Sequence, residues 1–234
     1  MVSKAVAALG DWSLGGWQRL SFSARQIGAN RVEPTAWRSP GGEPILLLPG
    51  VWERWSSLIV WAEALHQKGW DVHFAPQLDL ELGSLPELAN RLLEELDYCP
   101  LVVAHSKGGL VAKQAMILRP GSIRGLIAVG TPFSGSPLAR LMPRASGMSD
   151  LSPDNESLVE VGREPVSSGR TVLIEAQWDQ DVPHAGHHRF GAYCTVPVVG
   201  HNALLSSPIV AQTICRYAAH IREQWPPPAH ITES

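Results

Sequence analysis

A chain of 234 residues, 44% hydrophobic and 18% charged, can bury a sizeable core and is short enough to form one domain. Its formal net charge of −3, with no Lys or Arg run, excludes the basic field that nucleic-acid binding requires. Three cysteines, Cys99, Cys194 and Cys215, contain no CxxC pair and so read as free thiols, not as a disulfide framework or thiolate metal site.

At the N-terminus Asp11 and Trp12 interrupt a short apolar stretch before it reaches signal length, so the chain reads as unprocessed and cytoplasmic. No apolar run approaches the roughly 18 residues of a membrane span, and no stable membrane insertion is expected. Residues 44–48 (PILLL) form a fully apolar run that stops at Pro49-Gly50, which predicts a central strand ending in a turn. Residues 55–68 carry Leu58, Trp61, Ala62 and Leu65 at helical spacing, and Gly69 closes them. Residues 71–75 alternate like a strand. The segment 85–96 repeats Leu88, Leu92 and Leu96 at helical period, with Ser84 as N-cap and Glu87 completing a capping box.

Further strands are predicted at 101–104, 125–129, 171–176 and 195–199, with helices at 108–118 and from about 203 to 221. Short β-rich runs alternating with amphipathic ones predict an α/β fold: a mainly parallel central sheet covered by helices on both faces, in one domain over 1–225. Residues 132–169, rich in Pro, Ser and Gly, break the rhythm and read as a lid-like insertion or a surface excursion. The tail 226–234 (PPPAHITES) is expected to be disordered.

The strand LVVA runs directly into His105-Ser106-Lys107-Gly108-Gly109, where a helix begins. A serine at such a strand-turn-helix apex needs small residues two before and two after it, and Ala104 and Gly108 supply them. The turn lifts the hydroxyl above the sheet edge and leaves the Lys107 amide at a helix N-terminus, available to an oxyanion. A serine that merely caps a helix would share this local pattern. Here the sequence resembles the α/β-hydrolase family, and within it the lipase-like members, some of which also carry alanine at the first small position of GxSxG.

That resemblance implies a catalytic triad in the chain order Ser, acid, His. After the strand TVLIEA, the turn Asp179-Gln180-Asp181-Val182-Pro183 looks like the family's acid turn, which selects Asp179, with Asp181 as the competitor. Gly200-His201 matches the family's glycine-histidine signature after the last strand and makes His201 the base. His105, before the nucleophile, stands where the fold tends to place a packing residue. His184, His187 and His188 lie in a polar loop without the carboxylate or cysteine spacing of a closed metal site, and no metal or cofactor is expected.

Pro49-Gly50-Val51-Trp52 resembles the family's His-Gly oxyanion loop, with Pro in place of His, and gives Val51 as second oxyanion donor or Trp52 as the alternative. Residues 130–136 (GTPFSGS) resemble the GTPxxGS segment of lipases. Trp52, Trp55, Phe133 and Leu138 fall in loops that should roof the site, with Trp52 and Phe133 as substrate contacts, and favour a small-molecule ester with an apolar acyl or alcohol group. The expected function is carboxylic-ester hydrolysis by Ser106, His201 and Asp179. A thioesterase, amidase or acyltransferase using the same triad, or a non-catalytic homologue, remains the alternative; oligomeric state is not readable from the chain.

Overall fold

The computed structural model describes residues 32–80, 82–136, 139–140, 147–182 and 190–224. The tail 226–234, Leu138 and the histidines 184, 187 and 188 lie outside the described residues. Six strands form one sheet: β1 (Glu43–Leu48), β2 (Trp70–Phe74), β3 (Leu101–His105), β4 (Gly125–Val129), β5 (Thr171–Trp178) and β6 (Ala192–Val199). Their order is β2-β1-β3-β4-β5-β6, and every pairing is parallel.

Parallel strands buried on both faces read as continuous apolar runs, and alternate residues serve opposite cores. Leu46, Leu48, Val102, Ala104, Leu126, Ala128 and Leu173 join one buried cluster. Ile45, Leu47, Leu101, Val103, Ile127, Val129 and Ile174 join the other. The first face is covered by α2 (Leu85–Glu95), α3 (Lys107–Leu118) and α4 (Glu156–Arg163), the second by α1 (Ile59–His66) and, near the C-terminus, two further helices. Leu88 and Leu92 of α2 and Leu110 of α3 bury into the first cluster, while Trp61 and Leu65 of α1 bury into the second. The capping box at Ser84 forms, with Glu87 reaching back to the Ser84 amide at 2.9 Å.

Two segments differ from expectation. The C-terminal helix is two, α6 (Ala203–Ser206) and α7 (Pro208–Gln224), because Pro208 has no N–H to continue the first. Strand β6 starts at Ala192 instead of residue 195, since Gly191 already donates to Thr171 O and brings Ala192 opposite Val172. Within 132–169, α4 and the short α5 (Pro165–Gly169) are regular, and Leu151, Leu158 and Val161 are buried with α2 and α3 in the first core. Asn155 accepts the Leu158 amide and caps α4.

The chain leaves β1 toward β2 on one side and returns to β3 on the other. The strand order therefore reverses between β1 and β3, where their carboxyl-end loops diverge and open a crevice. Pro49-Gly50 follows β1 and Ser106 follows β3, so both stand at that crevice.

Candidate active site

Ser106 is N-cap of α3 with φ 50° and ψ −126°, a backbone conformation that an L-residue holds only under strain of about 1–3 kcal/mol. The surroundings enforce it: the Ser106 amide donates to Val129 O of β4 at 2.9 Å, and all of β3 is buried. Strand and helix approach so closely that a Cβ at Gly108 would stand 2.4 Å from Pro49 O and 3.0 Å from Leu48 O. These are backbone atoms at the end of β1. Gly108→Ala should therefore lower the unfolding free energy by about 1–3 kcal/mol, read as a reduced denaturant midpoint at unchanged m-value.

His201 follows β6 and is 7% exposed. Its Nδ1 lies 2.7 Å from Asp179 Oδ2, while Asp179 Oδ1 accepts the backbone N–H groups of Asp181 at 2.8 Å and Val182 at 3.0 Å. Asp181 lies differently: its carboxylate accepts from Gln180 Nε2 at 3.1 Å, and its carbonyl accepts the Ser136 hydroxyl at 2.6 Å. Of the two candidate acids, Asp179 is the one hydrogen-bonded to His201. The ring of His201 rests over Gly130 at the end of β4, where a Cβ would sit 3.2 Å from Cε1 and 2.8 Å from Leu204 Cδ1. Gly130 itself has φ 58°.

Burial pushes the Asp179 carboxyl up, but the facing imidazole and the two N–H donors outweigh it and hold the group below its ordinary value. For His201 burial pushes the imidazolium down, and the Asp179 carboxylate, helped by Asp181 and Glu53, more than reverses this. Both shifts express one interaction, the attraction inside the pair. An ionised Asp179 at Nδ1 leaves Nε2 as the basic nitrogen.

The loop after β1 is a tight turn closed twice. Glu53 N donates to Gly50 O at 3.2 Å, and the Glu53 side chain returns to accept Gly50 N at 2.7 Å. The Gly50 amide is thus committed to Glu53. Trp52 in the same turn has φ 61°, a value usual for glycine. A Cβ at Gly50 would lie 2.9 Å from Ser106 Cβ, so the loop carrying Val51 and the serine are in direct register. Lys107 is the first residue of α3, and the amides of a first helical turn have no partner within the helix.

A cleft of about 340 Å³, counting its solvent-open mouth, is lined by Leu48, Gly50, Val51, Leu78, Leu88, Lys107 and Val111 among others. Lys107 does not leave its charge unpaired beside this wall. Its ammonium is drawn aside to Gly83 O and Gly147 O, each at 2.8 Å, and to Asp150 at 3.4 Å. Burial pushes its pKa down, with Asp150 opposing. Trp52 stands at the surface, 47% exposed.

Phe133 does not line this cleft. It is buried against Phe190, ring centroids 4.8 Å apart, with the Lys113 ammonium 5.2 Å from its own centroid. Trp55 packs with Trp37 and Phe74 instead. Leu78 and Leu88, which do line it, carry no signal in the sequence beyond their place in ordinary apolar patterns. Glu53 carries no such signal either: a lone acid in a loop reads as solvated, yet it is 6% exposed and binds His105 Nδ1 at 2.7 Å.

No protein-family model matches the chain, and a comparison with curated proteins finds no match. Solved structures do match. Lipase B of Aspergillus fumigatus superposes with TM-score 0.64 at 14% identity over 81% of this chain, which spans only 55% of that protein. The mature lipase BlEst2 of Bacillus licheniformis gives 0.61 at 16% identity, over 81% of this chain and 96% of that one. MGS-MChE2, an α/β hydrolase enzyme from a lagoon-sediment metagenome, gives 0.55 at 16%, over 78% and 91%. At such identities the likeness is one of fold.

Proposed function

We propose that this chain, which has the α/β-hydrolase fold, is a serine hydrolase of carboxylic esters working through Ser106, His201 and Asp179. Two observations support the reading: the 2.7 Å contact between His201 Nδ1 and Asp179, and a serine held at φ 50° at the turn between β3 and α3. Ser106 Oγ attacks the ester carbonyl while His201 Nε2 takes its proton, and Asp179 keeps the imidazole in the required tautomer and balances the imidazolium. Backbone amides of Lys107 and Val51 receive the oxyanion, each worth about 2.7–4 kcal/mol by analogy with measured cases. The tetrahedral adduct collapses, His201 returns the proton to the departing alcohol, and water attacks the acyl-enzyme by the same route.

The lining of Leu48, Val51, Leu78, Leu88 and Val111 favours an uncharged, apolar acyl group, because Lys107 turns its charge to other partners. Trp52, exposed and next to Val51 in the turn after β1, is the proposed further contact for the substrate. A fluorophosphonate probe tests the reading directly: it should label the folded protein stoichiometrically at Ser106. Labelling elsewhere, or none, overturns it. Turnover of p-nitrophenyl esters against acyl thioesters of equal chain length then assigns the preferred bond.

A further inference from the structure

Behind His201 lies a second carboxylate–imidazole pair. His105 is fully buried; its Nδ1 meets Glu53 Oε1 at 2.7 Å, and its ring lies 4.6 Å, centroid to centroid, from that of His201 at an interplanar angle of 40°. The other carboxylate oxygen, Oε2, accepts Gly50 N at 2.7 Å. Trp61 abuts His105 edge-on at 6.0 Å, and His105 Nε2 has no hydrogen-bond partner among the described residues. One buried acid therefore grips the loop that would hold the oxyanion and the ring against which the base rests.

We propose that Glu53 is a positioning residue of the hydrolysis: its carboxylate fixes the Gly50–Val51 turn beside Ser106 and, through His105, the plane of the His201 imidazole. The proposal rests on the serine-hydrolase reading above. A buried carboxylate costs desolvation unless its oxygens are paired, and Glu53 pairs each of them with a group of the site instead of a remote part of the core. Glu53 is held below its ordinary pKa, burial being outweighed by His105, the Gly50 N–H and His201. It is thus ionised at neutral pH, and His105 Nδ1–H donates to it. Its charge also favours the imidazolium that His201 becomes during catalysis. Among the described residues, the ionisable groups around His201 are Asp179 and Asp181 after β5, Glu53 after β1 and His105 at the end of β3.

Glu53→Gln keeps the shape and removes the charge. In the full chain, kcat on a p-nitrophenyl ester should fall by about 10- to 100-fold, by analogy with the loss when partners that orient metal-ligating histidines are removed. KM should change by less than about threefold, and the acidic limb of kcat/KM should move to lower pH, which a merely structural role would not cause. His105→Leu should lose a comparable factor, and His105→Asn, which restores a donor near the Nδ1 position, should recover most of it. Wild-type kcat and an unmoved limb in Glu53→Gln overturn the proposal, as do equal rates in the two His105 variants. Proton NMR of the wild type with 15N-labelled histidine needs no variant: two strongly deshielded Nδ1 protons are expected, one each from His201 and His105, and absence of the second overturns the assignment. If the wild type turns over no ester and resists the fluorophosphonate, the hydrolase reading fails first, and the NMR result then reports the pair on its own.

Discussion

Ser106→Ala should lower kcat on a p-nitrophenyl ester by about a millionfold while leaving the fold in place. In the proposed mechanism the substitution deletes the atom that forms the acyl-enzyme and spares the backbone amides of Lys107 and Val51, so the remaining rate is what binding and oxyanion stabilisation supply without a nucleophile. The backbone at this position has φ 50° and ψ −126°, which strains alanine as much as serine. The variant's thermal midpoint should accordingly match the wild type, and the loss can be assigned to chemistry. Equal turnover by the two proteins would remove Ser106 from the reaction.

Asp179→Asn carries the second large effect, about 10⁴-fold in kcat at neutral pH, because an amide at this place stabilises the wrong imidazole tautomer and offers no charge to the imidazolium. Asp181→Asn, whose carboxylate is bonded to Gln180 and not to His201, should change kcat by less than about tenfold. The pH profile separates the causes. His201 is a base only when deprotonated, and the pair holds its pKa above the ordinary 6.5, so wild-type kcat/KM should fall as pH drops through a value higher than that. In Asp179→Asn burial is left with less opposition, and the acidic limb should shift to lower pH. An unshifted limb would separate Asp179 from His201.

The same pair sets a pH window for stability. Asp179, lowered in the folded state, contributes stability above its ordinary 3.8 that is lost as pH falls through the folded value. His201, raised in the folded state, contributes stability that is complete below 6.5 and lost as pH rises through its folded value. The contribution is therefore greatest between the two ordinary values, at mildly acidic pH, where the activity limb has already fallen. Stability and turnover should have different pH optima.

What could be read from the chain was what local pattern decides. The strands were legible because a sheet buried on both faces demands continuous apolar runs such as ILLL and LVVA. The places of Ser106 and His201, each between a strand and a helix, were legible from the apolar runs that flank them, and the turn at Asp179 from its distinctive sequence. Glu53 was not, since its burial depends on His105, 52 residues away, and on a loop closure that leaves no trace in periodicity. The packing of Phe133 was not legible for the related reason that an aromatic in a loop has no local preference between roofing a cleft and meeting Phe190. The kink at Ser207 was written plainly in Pro208, but the apolar period continues across it. The cleft wall itself joins β1, α2 and α3, an encounter fixed by strand order and not by any one segment.

The distorted backbone at Ser106 also bears on how this protein should fail. A residue in that conformation stays there only while β3, β4 and α3 jointly leave it no alternative, and all of β3 and β4 is buried. Relaxing the turn means separating elements that belong to the centre of both cores. If Ser106 is the nucleophile as proposed, turnover is a gauge of global integrity: residual activity after heating should follow the surviving folded fraction, and variants selected for retained turnover at elevated temperature should carry their changes in the core instead of around the cleft.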